Sequence, residues 1–347
     1  MDYHKLASRY KQFGGFRLVI EYAKLGALWS AVKASVRCLL KRQSFKGIYP
    51  EVLKRVEPFL VQKYGSKVQE FKKFIISREL KHEHLKVIWW CWLQGIENAP
   101  SIVKACFNSL MREFKGSRVQ GLSDGYVIKV IDAENWKEYI ELPDFIVKKW
   151  EKKQIPPALF SDLLRLELLI KYGGTWIDST VLCTGFKKFK GSSSSSDSTD
   201  SPSVQEFKKY LEADLFLFQY TKQGSIPVSI SNWFISAHSN NEVLIVLRDM
   251  LYAYWKDYDC VLDYYIFHLF FAVISKEYPE QILAMPYGQS LNSLVLLHHW
   301  GEIFDQWKWD KLTEKVCFHK LAFRVGEDVQ NNKENYYNYI LTEYGRI

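Results

Sequence analysis

Three charged residues at fixed spacing carry the chemistry that can be read from this chain: Asp162, Arg165 and Asp178. They lie in the run Phe160-Ser161-Asp162-Leu163-Leu164-Arg165-Leu166-Glu167-Leu168-Leu169-Ile170-Lys171-Tyr172-Gly173-Gly174-Thr175-Trp176-Ile177-Asp178-Ser179-Thr180. The run reads as a short helix, a glycine stop and a short strand that ends on a carboxylate. Asp162 and Arg165 are three apart and share one helix face. Ligands of open α/β sheets bind beyond the carboxyl ends of the strands, where Asp178 falls. Convergence of the three on one cavity would suit a sugar, whose hydroxyls need polar partners, and a diphosphate, which needs a cation.

The elements that must position these groups are short and well punctuated. Pro156-Pro157 bar a helix from starting upstream, and Ser161 is a suitable N-cap. The apolar set Leu164, Leu168 and Ile170 stops at Gly173-Gly174, where a left-handed cap costs glycine least. Thr175-Trp176-Ile177 then has strand chemistry.

The pattern Ser-Asp-x-x-Arg … Tyr-Gly-Gly-x-Trp-x-Asp resembles the sugar-binding segment of glycosyltransferases that carry a DXD motif. It is most similar to the capsular polysaccharide synthesis proteins, with yeast α-mannosyltransferases and clostridial glucosylating toxins as more distant relatives. The resemblance implies an α/β chain with a GT-A type, Rossmann-like nucleotide-sugar-binding domain. It also implies transfer of a sugar from a nucleotide-sugar donor to a glycan or lipid-linked glycan acceptor, with retention at the anomeric carbon. Such a reaction belongs to capsular or other surface polysaccharide synthesis on the cytoplasmic side of the membrane.

Roles carry over residue by residue. Asp162 would accept from sugar hydroxyls, Arg165 would hold the sugar or the leaving diphosphate, and Gly174 would border the substrate. Asp178 matches the first Asp of DXD, which touches ribose and the metal shell. Thr180 stands where many relatives have the second Asp, the direct cation ligand. A Mn²⁺ or Mg²⁺ ion would then depend on Asp178, Thr180, phosphate oxygens and His299. A plain helix salt bridge would use Asp162 and Arg165 too, but would not require Gly-Gly-x-Trp-x-Asp after it. No double-displacement nucleophile and no glycosidase-type carboxylate pair is evident, and no catalytic base can be named from the residues; the resemblance implies reaction on one face of the sugar, with the departing phosphate deprotonating the acceptor.

Composition bounds these readings. The chain has 347 residues, 48% hydrophobic and 16% aromatic, enough for a large core and incompatible with global disorder. Its net charge of +8 is uneven: residues 1–80 hold 17 Lys and Arg against 6 Asp and Glu, a balance of +11, which leaves −3 for the rest. A nucleic-acid enzyme would carry its basic surface on the catalytic body, so that class is excluded. Six cysteines without a CxxC pair point to a reducing compartment rather than to zinc or disulfides.

Residues 1–80 read as a basic helical segment, in which the mixed apolar and basic stretch from Phe16 to Arg42 is too interrupted by charge to span a bilayer. Either it lies on an anionic membrane surface, peripheral at the inner face, or it is a helical subdomain that shows its lysines to water. Residues 81–320 read as the catalytic domain. Lys86 to Gly95 is its first strand and Tyr126 to Asp132 its second, joined by a helix from Ser101 to Lys115 in a βαβ unit. Trp92, by resemblance, borders or stacks on the donor base, whereas Trp89 and Trp90 read as packing. Asp132 reads as a helix cap. Asn232, in a strand from Ile230 to Ala237, matches an asparagine near the donor sugar in relatives, or is a turn residue. Leu296 to Gly301 reads as a strand in which only one of His298 and His299 can face a site; a structural histidine is the alternative. Residues 191–203 are low complexity and read as a surface loop close to the site. Residues 321–347 form a helical tail.

Two other classes use the same residues. Thr180 permits a catalytically silent nucleotide-sugar-binding protein, and the basic N-terminal helices permit a membrane-surface interaction protein.

Overall fold

The computed structural model describes residues 8, 10–40, 48–76, 83–114, 125–185 and 209–345. The low-complexity stretch 191–203 lies outside them. The chain divides into two compact units, one of Met1–Leu80, Ile140–Glu167 and Glu242–Glu280, the other of Lys81–Tyr139, Leu168–Asn241 and Gln281–Ile347.

In the described residues of the first unit the regular structure is helical. Within the stretch from Phe16 to Arg42 the helices Phe16–Lys24 and Ala27–Leu40 are separated at Leu25-Gly26. Gly26 takes φ 66°, a left-handed value that only a residue without Cβ adopts freely. The long helix Ile48–Ile76 buries Val52, Val56, Leu60, Tyr64 and Val68. That four-residue spacing draws one stripe along a 3.6-residue helix. Among the described residues no helix is long and apolar enough to cross a membrane.

Asp263, three residues ahead of the helix Ile266–Ser275, is a buried polar node in this unit. Its Oδ1 accepts from the Tyr49 hydroxyl and from the backbone N–H of Tyr265, both at 2.8 Å. The same Tyr49 hydroxyl accepts from the N–H of Tyr264 at 2.7 Å. Burial pushes the Asp263 carboxyl above its ordinary range.

The second unit is built on a five-stranded sheet of order β2-β1-β3-β6-β5. Its strands are β1 (Val87–Cys91), β2 (Val127–Ile131), β3 (Gly174–Asp178), β5 (Leu215–Gln219) and β6 (Ile230–Ala237). All five residues of β1 are buried, as expected of a strand flanked on both sides in a parallel arrangement. It runs parallel to β2 and to β3, with Cys91 level with Ile131 on one side and Asp178 on the other. Parallel neighbours need a crossover, and the helix Ser101–Phe114 supplies it, burying Ile102, Val103, Cys106, Leu110 and Phe114. β6 and β5 complete the sheet antiparallel. A second, two-stranded antiparallel sheet pairs β4 (Val181–Cys183) with β7 (Phe318–Lys320). The chain is thus α/β, with a Rossmann-like parallel β-α-β unit and an added N-terminal helical segment, as the sequence predicts.

Gly173 and Gly174 are needed for both conformation and space. Their φ values are 69° and 92°. A Cβ on Gly173 would stand 2.6 Å from the Glu83 carbonyl oxygen, and one on Gly174 would stand 2.5 Å from Cγ1 of Val87. The helix before them, Pro157–Tyr172, starts earlier than Ser161. Pro157 fits a first helical position, where its missing N–H goes unneeded. Ser161 lies inside the helix, its hydroxyl donating to the Ala158 carbonyl at 2.7 Å.

Candidate functional site

Asp162 and Arg165 belong to the helical unit. Both are buried, Arg165 with 3% of its surface exposed and Asp162 with 8%. Nη1 of Arg165 stands 3.3 Å from Oδ1 of Asp162, and Nη2 donates to Ser161 Oγ at 3.2 Å. The i, i+3 pairing read from the sequence is therefore made, among the fully buried Leu163, Leu164 and Leu166. The guanidinium also faces the Phe267 ring, 6.0 Å from its centroid. Burial, and then the charge of Arg165, push the neighbouring His268 imidazole down to about 4, so it is neutral at pH 7. A buried ion pair contributes little net stability over an apolar replacement, while its separation from water makes each partner hard to lose.

Asp178 belongs to the sheet unit and closes β3, level with the end of β1. Trp176, two residues back on the same face, donates its indole N–H to Oδ1 at 2.8 Å. Nζ of Lys320 donates to Oδ2 at 2.7 Å and to Oγ1 of Thr180 at 2.8 Å. The β4–β7 pairing sets this up: Val181 is level with Lys320, and the N–H of Leu321 donates to the Thr180 carbonyl at 2.8 Å. Lys320 is a site residue that sequence reasoning missed. A three-residue strand carries no periodicity, and nothing in the spacing connects Lys320 to the motif.

Trp92 follows β1, its N–H donating to the Ile131 carbonyl at 3.0 Å. The half-buried indole meets Phe323 edge to face at 5.4 Å, three residues beyond Lys320. Its Nε1 is buried with no hydrogen-bond partner. Trp89 and Trp90 are buried packing residues, as predicted. Asp132 does not cap a helix at Ala133 as the sequence predicts: its Oδ1 accepts from the N–H groups of Glu134 and Asn135, both at 2.9 Å, closing a turn, and the 3₁₀ turn Trp136–Glu138 follows Asn135.

Asn232 is in β6, whose antiparallel pairing sets Phe234 level with Ile177. It falls in the stretch between Ile230 and Ile235 where the pairing of β6 with β5 is irregular, and its side chain is half-buried. Gly174 is enclosed by Val87 and Leu85.

His298 and His299 end a helix, Ser290–His299, and do not lie on the strand that the apolar run predicts. Nδ1 of His299 stands 2.5 Å from Oε1 of Glu302 and 3.3 Å from Nζ of Lys308, a surface cluster.

A Mn²⁺ or Mg²⁺ ion needs several oxygen ligands turned to one point. Both carboxylate oxygens of Asp178 are instead turned to Trp176 and Lys320, and the Thr180 hydroxyl to Lys320. Among the described residues no group of three His, Cys, Asp or Glu side chains is arranged to hold a metal ion. The donor set present does not fit a divalent cation.

A family model described as "Capsular polysaccharide synthesis protein" matches residues 37–340. A solved structure titled "PaToxG Glycosyltransferase" is similar at 13% sequence identity, covering 74% of this chain and 94% of that one, with a TM-score of 0.35. No curated protein sequence matches the chain.

Proposed function

The chain belongs to the capsular polysaccharide synthesis protein family, and from that premise we propose that it is a glycosyltransferase of GT-A type. It moves a sugar from a nucleotide-sugar donor to a glycan or lipid-linked glycan acceptor, with retention, in surface polysaccharide synthesis. The observation that carries this reading is Asp178, fixed by Trp176 and Lys320 at the carboxyl end of a parallel strand. Sheets of this class bind nucleotide ligands at that edge.

Each part then has a task. Asp178 accepts from hydroxyls of the donor, with its rotamer held by the indole N–H. Trp92, at the end of the adjacent strand, borders the base; an aromatic face contributes on the order of 1–3 kcal/mol per stacked base.

Thermal denaturation of the full chain against a panel of nucleotide sugars tests the reading, since a ligand that binds only the folded state raises the melting temperature by mass action. One donor should stabilise the wild type and leave Asp178→Ala unmoved. Equal shifts in both proteins, or none with any donor, would contradict it.

The enzyme works at an anionic membrane surface in this reading. Phe16 (73% exposed), Ile20, Trp29 (64%), Val32 and Val36 are exposed on Phe16–Lys24 and Ala27–Leu40. Their spacing of three and four keeps them to one face of each helix. Exposed Arg17, Lys24, Lys33 and Arg37 accompany them, against one acidic residue, Glu21. Apolar insertion with flanking positive charge is how interfacial helices hold anionic lipid.

A further inference from the structure

We propose that the ammonium of Lys320 is the resident cation of the donor site, binding the diphosphate of the nucleotide sugar so that transfer needs no divalent metal; this rests on the glycosyltransferase reading above. The ammonium occupies the point between Asp178 Oδ2 and Thr180 Oγ1, at 2.7 and 2.8 Å, where a DXD-type pair would direct a metal ion. Charge balance is consistent with the exchange. Two carboxylates in that arrangement call for a doubly charged ion, whereas one carboxylate and one hydroxyl are matched by a single positive charge. The threonine at position 180 and the lysine at position 320 therefore answer one another.

Lys320 is also built into place. It ends β7 level with Val181, and the next residue's N–H is bonded to the Thr180 carbonyl. An ammonium has three donors, of which Asp178 and Thr180 take two, leaving one for an anion. The side chains of Lys320 and Asp178 are 21% and 22% exposed, open enough for a ligand and more enclosed than an ordinary surface pair.

In the transfer, the bond between the anomeric carbon and the β-phosphate oxygen breaks and its electron pair leaves on that oxygen. The acceptor oxygen bonds to the anomeric carbon, and its proton passes to the departing diphosphate. The Lys320 ammonium is fixed in advance where the new negative charge develops, which is the requirement for electrostatic stabilisation without reorganisation.

Calorimetric titration of the full chain with UDP and GDP, in EDTA and in Mn²⁺, tests this on wild type, Lys320→Met and Lys320→Arg. Wild type should bind one of the two equally well with and without Mn²⁺. Lys320→Met should lose about tenfold to hundredfold in affinity, the loss expected for one hydrogen bond to a charged group. Lys320→Arg, which keeps the charge, should recover part of it, and a melting curve close to wild type for either variant excludes misfolding as the cause. Binding that disappears in EDTA, or Lys320→Met binding as tightly as wild type, would overturn the proposal. If neither diphosphate binds in any condition while a nucleotide sugar still stabilises the fold, only the lysine role falls; if no nucleotide ligand acts at all, the donor reading falls with it.

Discussion

The indole N–H of Trp176 donates to Oδ1 of Asp178 at 2.8 Å, joining two residues that share one face of the strand β3. Trp176 is buried, so its ring does not move, and the bond fixes the carboxylate against the sheet edge. Replacing Trp176 by Phe keeps most of the packing and removes the donor. Donor affinity or kcat/KM should fall by about tenfold, the value of a hydrogen bond to a charged acceptor. Steady-state kinetics together with a melting curve check this, because activity should fall further than stability.

Arg165 and Asp162 differ from a surface ion pair in being enclosed. Arg165→Lys retains the charge but loses the planar fork, and should leave the stability of the fold nearly unchanged. Asp162→Ala leaves a buried guanidinium without its carboxylate, and should destabilise the fold by about 3–5 kcal/mol. Denaturant titration separates the two outcomes, since Arg165→Lys should unfold close to wild type.

Acid sensitivity follows from a buried histidine. His319 is 1% exposed and shares a hydrogen-bond contact with Thr184 at 3.2 Å through Nε2. Burial pushes it down to about 4, whereas in the unfolded chain it titrates near its ordinary value of 6.5. The unfolded state therefore binds more protons between these values. Stability that is full above about pH 6.5 falls as pH drops toward 4, by on the order of 3 kcal/mol from this group. Melting temperatures across that range should fall with pH, and His319→Gln should flatten the dependence.

Much of the sheet unit is legible from local sequence. Gly173 and Gly174 mark a left-handed turn, Thr175-Trp176-Ile177 a strand and Asp178 its end, because each signal lies within a few residues of what it determines. The Asp162–Arg165 pair is legible for the same reason, being one helix turn. Lys320 is not, because 142 residues separate it from Asp178 and only the β4–β7 pairing brings them together. The run Leu296 to Gly301 illustrates a different failure. A short apolar run has no decisive period, and here packing settles it as the end of a helix. The break at Gly26 is local but silent, since a single glycine within an amphipathic pattern reads equally well as tolerated helix.

Membrane attachment gives a prediction that depends on salt. Full-length protein should float with vesicles containing anionic lipid and remain behind with zwitterionic ones. Phe16→Ser with Trp29→Ser should abolish flotation without changing the melting curve, as both side chains are exposed. Raising ionic strength should weaken binding through the basic residues alone, leaving an apolar remainder.

The central claim is that the carboxyl edge ending in Asp178 binds and turns over a nucleotide sugar. Release of nucleoside diphosphate from a panel of nucleotide sugars, with wild type and Asp178→Asn side by side, tests it most directly. One donor should be consumed by wild type, and Asp178→Asn, folded to the same melting temperature, should be slower by about a hundredfold or more. Release at equal rates by the two proteins, or no release from any donor, would contradict the account.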